Sequence, residues 1–156
     1  MTTTAQEQVK LTIEHITSYD EGLIAPVRSL LEQLTTQAIP FGEAELRNLI
    51  ADPSSHLFVI REQGQVVGML TLGTYLSPTS RKAWIEDVVV DKAFRSCGYG
   101  RALIDHAIGY CEAYLAPCTL MLTSNPTRKE ANALYRKSGF EQKITNVYKK
   151  TAHKNE

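Results

Sequence analysis

The 156-residue sequence predicts a single α/β domain, in detail α+β, with one mixed sheet and the element order β-α-α-β-β-β-α-β-α-β. Three observations lead there. Some short runs alternate apolar and polar residues with period two, other stretches repeat apolar residues at helical spacing, and Trp84 to Thr123 reads strand, glycine loop, helix, strand. That last pattern is a βαβ crossover from the fourth strand to the fifth.

The elements can be taken in order. Val9 to Ile16 places Val9, Leu11 and Ile13 on one face, which predicts a first strand. Asp20 suits an N-cap for a helix whose Leu23, Ile24, Val27, Leu30, Leu31 and Leu34 share a stripe, with Pro26 in its second turn. Ile39-Pro40-Phe41-Gly42 interrupts it, and a short helix runs from Glu43 to Ile50. Two β-rich runs, His56 to Arg61 and Gln65 to Tyr75, flank the hairpin signal Glu62-Gln63-Gly64. Trp84 to Val90 is the fourth strand. The helix from Gly98 to about Leu115 stops before Pro117, and Cys118 to Thr123 is a fifth strand. Thr127 and Glu130 have capping-box spacing for a helix that carries Ala131, Leu134 and Tyr135 on one face and ends at Gly139. Ile144 to Lys150 predicts a sixth strand, and the ends, residues 1–8 and 151–156, are expected to fray.

Composition narrows the function. Lys+Arg and Asp+Glu balance at 17 each, so no global field favours nucleic acid or an anionic membrane, and any anion site must be local. No apolar run approaches membrane-spanning length, and Met1 to Gln8 lacks the apolar core of a signal peptide. Cys97, Cys111 and Cys118 form neither an even set nor a Cys-x-x-Cys pair, which fits a reducing, cytoplasmic location. His15, His56, His106 and His153 lack the spacing of metal ligands, so no metal is expected.

The strongest chemical signal is the strand, loop and helix start from Trp84 to Arg101. N–H groups at a helix N-terminus have no intrahelical partner, and the helix dipole adds partial positive charge, so a phosphate satisfies both. Arg95 and Arg101 bracket this loop. A cation in the first helical turn is disfavoured by roughly 0.3–1 kcal/mol, and its placement makes sense with an anion alongside.

Arg95-Ser96-Cys97-Gly98-Tyr99-Gly100 resembles the (Arg/Gln)-x-x-Gly-x-(Gly/Ala) signature of the GNAT N-acetyltransferase superfamily. The later Asn132-Ala133-Leu134-Tyr135-Arg136-Lys137-Ser138-Gly139-Phe140 is similar to that family's second motif, and the element order is also the family's. The resemblance implies a single mixed, mostly antiparallel sheet flanked by helices. It also implies acetyl-coenzyme A as cosubstrate, its pyrophosphate held by Arg95, Ser96, Cys97, Gly98, Tyr99, Gly100 and Arg101. Backbone groups of Val88, Val89 and Val90 would bond the pantetheine arm, as would Asn132. Tyr135 would be the general acid and Glu86 would lie by the acceptor amine.

Direct acetyl transfer sets its own demands. A lysine-like amine must lose about 3.4 pKa units' worth of protonation at pH 7, roughly 4.6 kcal/mol, so a base is expected. Glu86 and Asp87 are nearest; strand alternation puts them on opposite faces, and either carboxylate or a water chain could serve. Proton donation from a free phenol to a thiolate is uphill by about 1.5 units, which leaves Tyr135 within reach of local tuning. Cys97 has no His or Asn partner for covalent catalysis. The acceptor would be a small primary amine, shaped by Gln37 to Gly42 and by Thr145 and Asn146. A peptide or protein amine, or a coenzyme A-binding module without catalysis, are the rival readings. A homodimer is the default for a small enzyme.

Overall fold

In the computed structural model, which describes residues 9–154, the chain forms two compact units, Met1–Thr123 and Ser124–Glu156. The N-terminal stretch expected to fray, residues 1–8, and the last two residues lie outside the described part.

The first unit is organised by five strands, β1 (Leu11–Ile16), β2 (Ser55–Glu62), β3 (Gln65–Leu76), β4 (Arg81–Val90) and β5 (Cys118–Met121), side by side in that order. Neighbours are antiparallel except β4 and β5, which run parallel because α3 (Tyr99–Tyr110) carries the chain back between them. The crossover read from the sequence is therefore present. The β2–β3 hairpin turns on Gln63 and Gly64, with φ of 49° and 86°, the paired positive values that match strand twist.

Each face of the sheet is closed by helix. On one side Leu57, Val59, Met69 and Val89 pack with Leu23, Val27 and Leu30 around α1 (Ile24–Leu34) and with Leu46 of α2 (Glu43–Ala51). On the other, Phe58 meets the rings of His106 and Tyr110 at 5.0 and 5.2 Å, so the even positions of β2 face α3. Leu103, Ile104 and Ala107 of α3 are buried on that side. Each fully buried Leu or Ile contributes about 1.5–3 kcal/mol relative to exposure, which makes this two-sided core the main stabilising feature.

Asp20 does cap, its Oδ1 accepting from Gly22 N at 2.9 Å, but the element it caps is a 3₁₀ turn, Glu21–Leu23. The α-helix begins at Ile24, which leaves Pro26 within the first turn, where its missing N–H costs no bond. After α3 the chain widens into a π turn, Cys111–Leu115, before Pro117. Among the described residues no helix is long and apolar enough to cross a membrane.

The second unit holds α4 (Lys129–Lys137). The Thr127–Glu130 capping box does not form. Asn125 Oδ1 takes both the Thr127 N–H (2.9 Å) and its hydroxyl (2.8 Å), and this local turn outcompetes the cap. The helix ends as expected at Gly139, φ +90°, where Phe140 N donates to Tyr135 O at 3.0 Å. The predicted sixth strand, Ile144 to Lys150, is also absent: residues 141–154 have no regular secondary structure. Its pattern was weak, since alternation sets Val147 on the face opposite Ile144 and Tyr148, and a strand without a ladder leaves every N–H and C=O to water. All three side chains are exposed.

Candidate functional site

The site grows out of an irregularity in β4. Pairing with β3 runs Thr71↔Glu86 and then Met69↔Val89, so β4 spends one extra residue there, and Asp87 takes a φ of +51°. The bulge reverses the facing of the residues beyond it. Ile85 pairs with Leu72 on the α3 side of the sheet, yet Val89, four residues on, lies in the core cluster around α1 and α2. The extra residue falls between Glu86 and Val89, with Asp87 and Val88 together opposite Leu70, so the period-two rule fails beyond Glu86.

The two carboxylates also feel each other. Burial pushes the Glu86 carboxyl above its usual range and the Asp87 charge adds to the rise; Asp87 is raised by burial. A carboxyl shifted upward is a better proton acceptor once ionised.

Beside them β4 has an edge that no described strand pairs. Pairing with β5 stops at Trp84↔Met121, so from Ile85 to Val90 no residue of β5 faces that edge. The backbone of Val88, Val89 and Val90 lies along this opening.

The chain then turns into the loop. Asp91 Oδ1 accepts from Ala93 N (2.8 Å), while its Oδ2 accepts from Gln33 Nε2 (3.0 Å) and Gln33 Oε1 receives Lys92 N (2.8 Å). The Ala93 N–H and then Gln33 hold the Asp91 carboxyl below its usual value. This clamp ties the loop's entry to α1. Ser96 at φ +62° and Gly98 at φ +83° shape its end, and Gly98 is the N-cap of α3. The first intrahelical bond is Ala102 N to Gly98 O at 3.0 Å, which leaves the N–H groups of the preceding turn for a ligand.

Of the two bracketing arginines, Arg95 stays close to the loop, its Nε donating to Val90 O at 3.2 Å. Arg101 pairs along the helix with Asp105 at 3.3 Å, so part of its charge is answered within α3. Cys97 is exposed, with its thiol 3.6 Å from Arg95 O. Tyr99 is buried and its phenol O–H donates to the Glu62 carboxylate, which pushes the phenol up to about 12. Nothing local in the sequence marks Glu62, 37 residues away.

Of the stretch expected to shape the acceptor site, Gln37 to Pro40 line an open cleft of about 460 Å³ together with Arg28, Leu31, Glu32, Thr35 and Thr36. Arg28 is anchored there by donating to Phe41 O at 2.8 Å.

In the second unit Tyr135 is buried and meets Phe140 edge-on at 6.2 Å. Asn132 Nδ2 donates to Asn125 O at 2.9 Å, so α4 and its entry turn hold the amide in place. Asn146 donates to the nearby Tyr148 hydroxyl at 3.4 Å, and among the described residues no comparable bond involves Thr145.

The site thus consists of a bulged strand that runs into a glycine loop at a helix N-terminus, inside an α+β domain. Residues 25–140 match the model of the Acetyltransferase (GNAT) family, and the chain belongs to that family. None of the curated proteins matches it. Among solved structures, an acetyltransferase of Trypanosoma brucei is 26% identical with a TM-score of 0.73, covering 91% of this chain and 100% of its own. Glucosamine-6-phosphate N-acetyltransferase of Arabidopsis thaliana shares the fold at 19% identity and a TM-score of 0.75, over 92% of this chain and 99% of its own. An aminoglycoside acetyltransferase from an uncultured soil metagenomic sample does so at 19% and 0.74, over 91% and 97%.

Proposed function

We propose that this chain is an N-acetyltransferase, one catalytic domain that moves the acetyl group of acetyl-coenzyme A directly to a primary amine of a small molecule. The observation that carries the proposal is the run of β4 bulge, strand edge beyond the β5 pairing and glycine loop, which brings a carboxylate pair, a strand edge and a helix N-terminus into one continuous stretch.

The pyrophosphate is held by the loop from Arg95 to Arg101, and the pantetheine arm lies along Val88 to Val90, with Asn132 a further donor. Glu86 takes the proton of the acceptor ammonium, directly or through water, and Asp87 sustains its basicity. The neutral amine attacks the thioester carbon; a C–N bond forms, the C–S bond breaks, Tyr135 O–H protonates the departing thiolate, and the second proton shed by the new amide nitrogen passes through water to the tyrosinate. Donors along the strand edge stabilise the intermediate's oxyanion. Cys97 takes no part. Two fold neighbours are named for amino-sugar acceptors, an aminoglycoside and glucosamine 6-phosphate, which supports a small amine as the first class to test.

The deciding experiment measures free thiol released from acetyl-coenzyme A across a panel of amino sugars, polyamines and peptides, with the Glu86→Gln variant alongside. Turnover with a small amine, lowered about 10²-fold in that variant, is expected. Turnover restricted to peptides moves the acceptor to protein, and coenzyme binding without turnover leaves only a binding module.

A further inference from the structure

Glu62 has no place in the acetyl-transfer chemistry, yet the end of β2 sets its carboxylate beside the loop. The turn that comes after it is fixed by three contacts: Arg61 Nε donates to Glu14 Oε2 at 2.9 Å, Arg61 Nη1 to Gly64 O at 3.2 Å, and Gln63 N to Lys10 O at 2.9 Å. From this rigid corner the carboxylate reaches the phenol of Tyr99, the first residue of α3, immediately after the left-handed Gly98.

We infer that Tyr99 is a positioning residue for the coenzyme loop and acts through Glu62, tying the first turn of α3 to the end of β2 so that its N–H groups keep the shape a phosphate needs. The inference rests on the proposed coenzyme A site. Gly98 gives the loop its reversal but also the greatest backbone freedom, and a side-chain tether directly behind it removes that freedom. The bond has a second effect. A carboxylate near a helix N-terminus is drawn to the same free N–H groups that a phosphate would take, and it repels the phosphate. The phenol keeps Glu62 occupied. With its proton bound up to about pH 12, it stays a donor throughout the working range.

Three full-length variants test this: Tyr99→Phe, Glu62→Leu and the pair together, each measured for coenzyme A affinity by calorimetry, for kcat, and for exchange of the Ala102 amide without ligand. Tyr99→Phe should weaken coenzyme A on the order of tenfold, the scale of one bond to a charged group, with kcat held. The Ala102 amide, which reports the first helical turn, should exchange faster. Glu62→Leu should speed that exchange as well but weaken coenzyme A no more than Tyr99→Phe does, because it removes the repelling carboxylate together with the tether. The double variant should be no worse than Tyr99→Phe, since the same bond is lost in all three. Unchanged Ala102 exchange in Tyr99→Phe overturns the tether, and so does a double variant whose losses simply add. A wild-type chain that does not bind coenzyme A overturns the functional proposal instead, while the exchange result still judges the tether.

Discussion

His15 Nε2 lies 3.3 Å from His56 Nδ1, across neighbouring strands and 41 residues apart in sequence. Around this pair stand Phe58, His106 and Tyr110, the last with its hydroxyl 3.4 Å from His56 Nδ1, and Tyr114 stacks behind Tyr110. Burial lowers the pKa of all three histidines, His15 further through its histidine neighbours; only Asp52 pulls His56 the other way.

The consequence is acid sensitivity. A histidine held below its ordinary value of 6.5 is neutral in the fold and takes up protons more readily when unfolded. The stability it contributes is complete above pH 6.5 and is lost as the pH falls through the lowered folded value. Melting temperature should therefore fall on going from about pH 7.5 to about pH 5.5. His56→Gln should flatten that slope, and an equally steep slope in the variant would remove the cluster as its cause.

Asp87 supports Glu86 electrostatically, so the pH–rate profile should respond to it. Glu86 must be ionised to act as base, and activity falls as the pH drops through its raised pKa. Asp87→Asn removes the neighbouring charge, lowers the Glu86 value and moves the acid limb of kcat/KM to lower pH. Asn tolerates the positive φ at this position, which keeps the bulge. Glu86→Gln should cost about 10²-fold in kcat, the lower end for general base catalysis. A limb that stays put in Asp87→Asn, with the variant folded, counts against Glu86 as the titrating base.

These two relationships also show what a sequence discloses. Strand β4, the loop and α3 were legible because each signal is local: a β-branched run, two glycines at fixed spacing, a helical stripe ending near Pro117. The bulge was not, since Glu86-Asp87-Val88 contains no glycine and the register is set by β3. The His15–His56 pair and the Tyr99–Glu62 bond join residues far apart in the chain, and only the sheet order and the α3 crossover bring them together. The sixth strand failed for the complementary reason. Residues 144–150 have β-forming side chains, but a strand exists only where a partner supplies its ladder.

Tyr135→Phe isolates the proposed acid. Removing only the hydroxyl leaves the ring that meets Phe140, so folding and coenzyme A affinity should be retained while kcat drops by about 10²-fold. Undiminished turnover in this variant would hand the proton to water.

Cys97 gives a contrasting expectation. Its thiol is exposed, and among the described residues its one hydrogen-bond partner is the Arg95 carbonyl. Cys97→Ala should keep full turnover, whereas loss of activity with coenzyme binding intact would require an acyl-enzyme.

Gly98 offers a test of backbone strain separate from space. Its φ of +83° and ψ of 5° are left-handed, and a Cβ built there meets nothing within 4 Å, so a substitution costs conformation and no steric clash. The left-handed region costs an ordinary residue about 1–2 kcal/mol, and Asn visits it more readily than Ala. Part of that cost will be relieved by rotating the loop, which turns its N–H groups from the phosphate. Coenzyme A affinity should therefore fall in the order Gly98, Gly98→Asn, Gly98→Ala, with the last weaker by about tenfold. Calorimetric titration of the three proteins reads the order directly, and equal losses for Asn and Ala would mean that bulk, not φ, governs the position.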